Sequence, residues 1–323
     1  MATGSTRAAN KPAVAASAAA GVASKQRPPP RNWLGKESLA GYLFIAPGLI
    51  HSLVFIVFVL FVSAFVSMTR WDLVSPPEFI GFQNYVDLFS DDLFFISLKN
   101  TATFVVMFIP LTIGLSLSLA LAANTKLRGL AFFRTAYFFP YVASMVAVAI
   151  VFRWLFHPDV GLINAFLGWF GISPYNWLGS CSTALPAITL VSVWKGLGWN
   201  MTLFLAGLQA IPGHLYEAAA LDGARRWRQF RDITWPLLTP TTFFVLVTSV
   251  LGSFQVFDTA YLMTQGGPER CTTVYMLYLY QQGFRFFNMG YAAAMAWFLF
   301  AILIVVTIIQ FRFLNKRVNY ELG

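Results

Sequence analysis

Charge is scarce in this chain: only 11% of its 323 residues are Asp, Glu, Lys or Arg. Soluble domains carry about a quarter, and here the few charges are clustered, leaving long apolar runs between them. A water-soluble globule with one large core is therefore not expected. Nucleotide-binding machinery is also missing. There is no Gly-x-x-x-x-Gly-Lys-Ser/Thr, and the one Gly-Lys, Gly35-Lys36, is followed by Glu37, so no phosphate-cradling loop can form. Histidine is rare as well, and His51, His157 and His214 fall on separate surfaces, which leaves no metal cluster and no catalytic dyad. A net charge of +9 would suit nucleic acid, but the basic residues sit in short segments beside apolar runs, which argues against it. No internal repeat is visible.

What is present is a series of apolar segments. Six spans are expected: Leu39 to Met68, Ala102 to Ala123, Ala136 to Phe152, Ala184 to Ala210, Thr241 to Met263 and Met289 to Phe311. Most reach the ~20 residues a spanning helix needs, and backbone groups in hydrocarbon demand helix. The expected fold is all-α and integral to the membrane. Residues 1–38 read as a disordered tail, Ala-, Pro-, Lys- and Arg-rich. The first apolar run is too long and starts too late for a cleaved signal peptide. Residues 39–323 form the membrane domain.

The connecting segments alternate in basic residues. Arg7, Lys11, Lys25, Arg27, Arg31 and Lys36 precede the first span, and Lys126, Arg128 and Arg134 separate the second from the third. Arg225, Arg226, Arg228 and Arg231 lie between the fourth and fifth, and Arg312, Lys316 and Arg317 follow the sixth. The intervening segments are acidic, as at Asp72, Glu78, Asp87, Asp91 and Asp92, or nearly free of Lys and Arg. The positive-inside rule then places both termini in the cytoplasm.

Leu215 to Pro240, "LYEAAALDGARRWRQFRDITWPLLTP", is the long stretch of mixed polarity between two apolar segments. Pro212 suits the first turn of a helix, Glu217 to Leu221 are good helix formers, and Gly223 permits a left-handed turn. A second piece, Arg225 to Trp235, is expected to end at Pro236. Physics alone allows two uses of this helix–turn–helix: an interfacial amphipathic linker, or a docking element for a soluble partner.

Two ionisable residues lie inside spans and are functional candidates by default. Lys195 is near the middle of the fourth, and Asp258 is towards the outer end of the fifth. Ser192, Lys195, Gly196 and Trp199 share one helical face, and Ser249, Gly252, Ser253 and Val256 another, with Gln255 and Asp258 to one side. Lys195 and Asp258 could line a polar path, or pair to hold helices together. Phe138, Phe139 and Tyr141 read as lipid- or helix-packing residues. Cys181 and Cys271 both fall in outer loops, where either a disulfide or two free thiols is open.

Glu217, Ala218, Ala219, Asp222, Gly223, Ala224, Phe230, Ile233, Pro236 and Pro240 resemble the EAA loop of permease subunits in binding-protein-dependent ABC importers. The family usually has Leu where this chain has Trp235. "FIGFQNYVDLF" (Phe79 to Phe89), the stretch Phe133 to Leu167, and "FQVFDTAYLMTQGGP" (Phe254 to Pro268) resemble its carbohydrate-uptake branch, which includes maltose and glycerol-3-phosphate permeases. The resemblance covers Leu39 to the C-terminus.

The resemblance implies that the EAA residues form a cytoplasmic coupling helix, between spans four and five, that sits on an ATPase. It implies sugar contacts at Ser192, Lys195, Gly196, Trp199, Ser249, Gly252, Ser253, Val256 and Asp258. It also implies a second permease, two ATPase subunits that hold the ATP and Mg, and an extracytoplasmic solute-binding protein. That protein would touch segment 69–101 and the Gln265 to Pro268 loop. The chain itself would bind no cofactor or metal, catalyse nothing, and sit in a prokaryotic inner membrane. Its cargo would be a di- or oligosaccharide, with glycerol 3-phosphate or a related phosphodiester as the alternative. An ion-coupled transporter or a membrane enzyme would leave the EAA residues unexplained.

Overall fold

A computed structural model describes residues 36–125 and 129–314. Residues 1–35 of the expected tail, Lys126 and Arg128, and the basic residues after Leu314 lie outside the described residues, whereas residues 36–38 are helical.

The chain divides into two compact units at Val59. The described part of the first contains α1 (Lys36–Ser52), with Pro47 inside it, and a π-helical stretch, Leu53–Phe58. Nearly every large side chain from Leu39 to Phe58 is exposed. Such a surface is untenable in water and is the expected lipid face of a spanning helix, whose backbone is satisfied internally. The apolar helix Gly41–Ser67 runs on into the second unit through α2 (Val59–Ser67).

The second unit opens with a two-stranded antiparallel ribbon, β1 (Thr69–Arg70) on β2 (Glu78–Phe79), in which Thr69 faces Phe79. Next come α3 (Gln83–Leu88) and the 32-residue α4 (Asp92–Ala123). Asp91 caps α4, accepting from the Leu93 N–H at 2.9 Å, which satisfies one of the helix's open donors. Then follow α5 (Leu130–Val142), α6 (Met145–Leu155), α7 (Leu162–Gly168) and the 30-residue α8 (Cys181–Ala210). After α8 come α9 (Gly213–Leu221), α10 (Arg226–Gln229), a π stretch (Phe230–Thr234), α11 (Trp235–Leu237) and α12 (Thr239–Phe254). The chain closes with α13 (Asp258–Met263), α14 (Tyr275–Tyr280), a π stretch (Gln281–Arg285) and α15 (Met289–Leu314).

Among the described residues, three helices are long and apolar enough to cross a membrane, Gly41–Ser67, Asp92–Ala123 and Met289–Arg312, or up to five if each of two bent pairs is one span. α8 is not among them, although 30 residues reach about 45 Å. Its side chains, Ile188, Val191, Met201 and Phe204 among them, are buried against other helices. A helix that faces protein on most sides is under less pressure to be apolar than one that faces lipid.

Two sequence expectations need correction. Ala136 to Phe152 is not one straight helix: Phe132–Val142 and Met145–Leu155 meet at 97°. Pro140 has no N–H to give the preceding turn, and Ala143 and Ser144 are both extended (ψ 144° and 131°). The second hairpin piece ends beside Pro236, as expected: helix Arg226–Leu237 stops one residue past the proline and bends by 64° into α12. Pro236 follows the π stretch Phe230–Thr234 within that helix and has no N–H to give the preceding turn. The fifth span is itself interrupted, since α12 stops at Phe254 and α13 starts at Asp258.

Among the described residues, three clusters make the core. Phe104 of α4, Ile188 and Val191 of α8, and Ala260 and Met263 of α13 form one. Leu117, Phe204, Leu208, Leu238 and Val245 form the second, near the α9–α12 segment. Leu88, Phe94, Tyr275 and Met295 join α3, α4, α14 and α15 in the third.

Candidate functional site

The break after α5 creates the first site feature. The last carbonyls of a helix have no intrahelical donor, and Lys195 of α8 supplies one. Its Nζ donates to the carbonyl oxygens of Pro140 at 3.2 Å, Tyr141 at 3.1 Å and Ala143 at 2.7 Å. A cation at a helix C-terminus is also favoured by the helix dipole.

A second break, Gln255 to Phe257, turns Asp258 and Val256 toward the same space. The result is a cavity of about 270 Å³. Ser192, Lys195 and Gly196 line it from α8, with Gly252, Ser253, Val256 and Asp258 from the α12–α13 side. Seven of the nine residues singled out on these helices therefore share one wall. The other two do not line it: Ser249 is buried, and Trp199 stacks on Tyr141 with ring centroids 5.3 Å apart. The Ser192 hydroxyl bonds Thr259 Oγ1 at 3.2 Å, joining α8 to α13.

Tyr141, expected from the sequence only as a packing residue, lines the cavity together with Phe104 and Phe108 of α4. Pro140 inside the expected span was the available clue. Lys195 and Asp258 make no ion pair within 4 Å among the described residues, so the expected alternative of a direct pair does not hold.

The hairpin at the other end of α8 is tied but open. Gly223 has φ +75°, a left-handed conformation that glycine adopts without strain. The Tyr216 and Thr234 hydroxyls lie 2.9 Å apart and join its two limbs. Leu215, Tyr216 and Ile233 anchor it on the second core cluster. Asp232 meets Arg231 at 2.7 Å and Arg228 at 3.6 Å, and the Arg231 hydrogen bond holds its carboxyl below the usual range. No residue of α9 is fully buried, and Leu221 is 90% exposed.

At the far end, Cys181 and Cys271 are joined as a disulfide that closes a 90-residue separation. A larger cavity, about 640 Å³, opens there between the β-ribbon and the start of α15. Asp87, Asp91, Arg70 and Asn288 are among its lining residues. Burial alone would raise the Asp91 carboxyl, but hydroxyls of Tyr278 and Tyr291 and backbone N–H groups donate to it and hold it low. Burial, and then Asp91, push the Tyr278 hydroxyl up to about 12. No group of three or more potential metal ligands exists among the described residues.

The family described as "Binding-protein-dependent transport system inner membrane component" matches residues 111–320. The chain belongs to that family. It is a permease subunit of an ABC importer, embedded in the inner membrane. This permease is 41% identical over 291 residues to the probable ABC transporter permease protein YesP of Bacillus subtilis, covering 88% of this chain and 94% of the relative. It is 36% identical to the sn-glycerol-3-phosphate permease UgpA of Agrobacterium fabrum, covering 86% and 96%. Against the arabinooligosaccharide permease AraP of B. subtilis it is 34% identical, covering 87% and 90%. A solved bacterial alginate ABC transporter, in complex with an alginate pentasaccharide-bound periplasmic protein, contains a similar chain. The TM-score is 0.78 at 25% identity, over 87% of this permease and 96% of that chain.

Proposed function

We propose that this chain is a six-span permease with both termini cytoplasmic, which carries a small carbohydrate inward by alternating access. Residues 1–38 form its cytoplasmic tail and 39–323 the transport domain. It works beside a second, non-identical permease, on two ATPase subunits that bind and hydrolyse ATP with Mg, and below a solute-binding protein. The chain itself performs no chemistry and binds no cofactor or metal.

The observation that carries this reading is the open hairpin between two cavity-lining helices. Glu217, Ala218 and Asp222 are exposed and Ala219 and Ala224 half-buried, so small side chains offer a close-approach surface to a soluble partner. Because the Tyr216–Thr234 contact ties the limbs, a partner gripping α9 moves α8 and the base of α12 together. Those two helices carry Ser192, Gly196, Gly252 and Ser253 of the cavity wall. A movement driven by ATP binding at one end thus reaches the cargo path without a separate relay. The solute-binding protein docks at the far end, on segment 69–101 and the Gln265 to Pro268 loop.

Carbohydrate cargo is supported by a relative named for arabinooligosaccharides. Glycerol 3-phosphate is supported by another of similar identity. The reading is tested by ATP hydrolysis in the reconstituted complex, with the loaded solute-binding protein added. Wild type should be stimulated by one ligand of a disaccharide and glycerol phosphate panel. The pair Glu217→Ala plus Gly223→Pro should assemble and not respond. An equal response from that variant would return the hairpin to the status of an amphipathic linker.

A further inference from the structure

The cargo cavity has two charged lining residues, Lys195 and Asp258, and their bonding is opposite. An ammonium group has three N–H donors. Lys195 directs its nitrogen at three backbone carbonyls, those of Pro140, Tyr141 and Ala143. Nothing is left to donate to a phosphate or sulfonate oxygen. Turning the ammonium toward such a ligand would strip the end of α5 of its donor and leave those acceptors unsatisfied.

Asp258 makes no hydrogen bond or ion pair among the described residues, and its side chain is exposed to the cavity. Its charge acts on Lys195 through space. An ionised carboxylate only accepts, so it bonds hydroxyl donors and repels anions. With the lysine charge answered by the carboxylate, the cavity holds no surplus positive charge for an anionic group. Tyr141 supplies an aromatic face against which a sugar ring can pack.

We propose that this cavity takes an uncharged, hydroxyl-rich cargo and rejects phosphate- or sulfonate-bearing ones. Asp258 is the open acceptor, and Lys195 is a positioning residue that fixes the α5–α6 bend and so places Tyr141. The proposal rests on the importer reading and narrows its cargo.

Binding of labelled probes to the full permease–ATPase complex in nanodiscs, without the solute-binding protein, reads this cavity alone. The probes are a panel of neutral di- and trisaccharides and sn-glycerol 3-phosphate. Wild type binds at least one neutral sugar and binds glycerol 3-phosphate at least about tenfold more weakly. Asp258→Asn keeps the shape, weakens sugar binding about tenfold, and raises the ratio of glycerol 3-phosphate to sugar binding. Simple loosening of the helices would not move that ratio. Lys195→Met weakens sugar binding without admitting glycerol 3-phosphate.

Glycerol 3-phosphate binding to wild type as tightly as any sugar, and lost in Lys195→Met, makes Lys195 a cargo ligand. That outcome overturns the proposal and leaves the importer reading standing. Failure of every probe in both nucleotide-free and ATP-trapped complexes overturns the assignment of the cavity. ATP hydrolysis that no loaded binding protein stimulates overturns the importer reading itself.

Discussion

Gly198 of α8 lies directly against the backbone of Tyr137 on α5: a Cβ on Gly198 would stand 2.1 Å from the Tyr137 carbonyl oxygen. Three residues away along α8, Lys195 holds the end of the same α5 helix. Small residues at such crossings let helix backbones approach where the bilayer supplies no hydrophobic drive. The α5–α8 contact therefore sets the depth at which Tyr141 enters the cavity lined by Lys195 and Asp258.

Gly198→Ala should push the two helices apart, because backbone cannot rotate away as a side chain can. About 1–3 kcal/mol of destabilisation is expected from overpacking, with cargo binding weakened as Lys195 loses its carbonyls. Gly114→Ala is the control, since a Cβ there meets nothing within 4 Å. It should leave thermal stability in detergent unchanged or slightly raised. Equal melting temperatures for the two variants would contradict the close approach.

Asp91 joins three elements: it caps α4 and accepts from Tyr278 after α14's first turn and from Tyr291 at 2.6 Å in α15. Asp91→Ala removes a cap, about 1 kcal/mol, and leaves two phenolic donors searching for acceptors. Melting temperature should fall while hairpin-dependent ATP hydrolysis is kept in the fraction that remains folded. Unchanged melting would show that solvent replaces the carboxylate.

The same network fixes a pH response. The Asp91 carboxyl is held below its ordinary value of 3.8, so its contribution is full above that pH and is lost as pH falls below it. The Tyr278 hydroxyl is raised from 10.0 to about 12. Its contribution is full below pH 10 and is lost as pH rises from there toward 12. Stability set by this cluster should be flat between those limits, and Asp91→Ala should flatten the acid limb. A pH-dependent melting series on both proteins checks the sign, discounted because Asp91 keeps part of its contact with water.

Cys181 and Cys271 bind the start of α8 to the loop after α13. Cross-linking across so long a loop is typically worth about 2–4 kcal/mol. Cys181→Ser should lower melting temperature, and reduction of wild type should lower it equally, while reduction of the variant changes nothing. A wild-type melt insensitive to reductant would place the stabilisation elsewhere.

Much of this was legible in the chain, for local reasons. The hairpin could be read because Gly223 and the Glu217 to Ala220 run act through neighbours in sequence. The helical face Ser192, Lys195, Gly196 follows from spacing alone. Its chemistry did not, because the carbonyls that occupy Lys195 lie more than fifty residues earlier and become free only where Ala143 and Ser144 leave the helix. The end of the hairpin's second limb was legible too, since Pro236 withholds a donor from the preceding turn and the helix stops one residue after it. α8 escapes a hydropathy criterion because its neighbours are helices and not lipid.

The most direct measurement is cross-linking from the hairpin. The chain has only two cysteines, so Cys181→Ser plus Cys271→Ser gives a thiol-free background. In that background, Ala219→Cys in the assembled complex, labelled with a reagent that is thiol-reactive at one end and photoactivatable at the other, should on illumination join the permease to an ATPase subunit. Ser90→Cys, in the α3–α4 connection, should join it to the solute-binding protein or to nothing. An ATPase adduct from Ala219→Cys and none from Ser90→Cys is the predicted result. Absence of the ATPase adduct, with Ala219→Cys labelled instead by an impermeant reagent from outside the cell, would contradict the account.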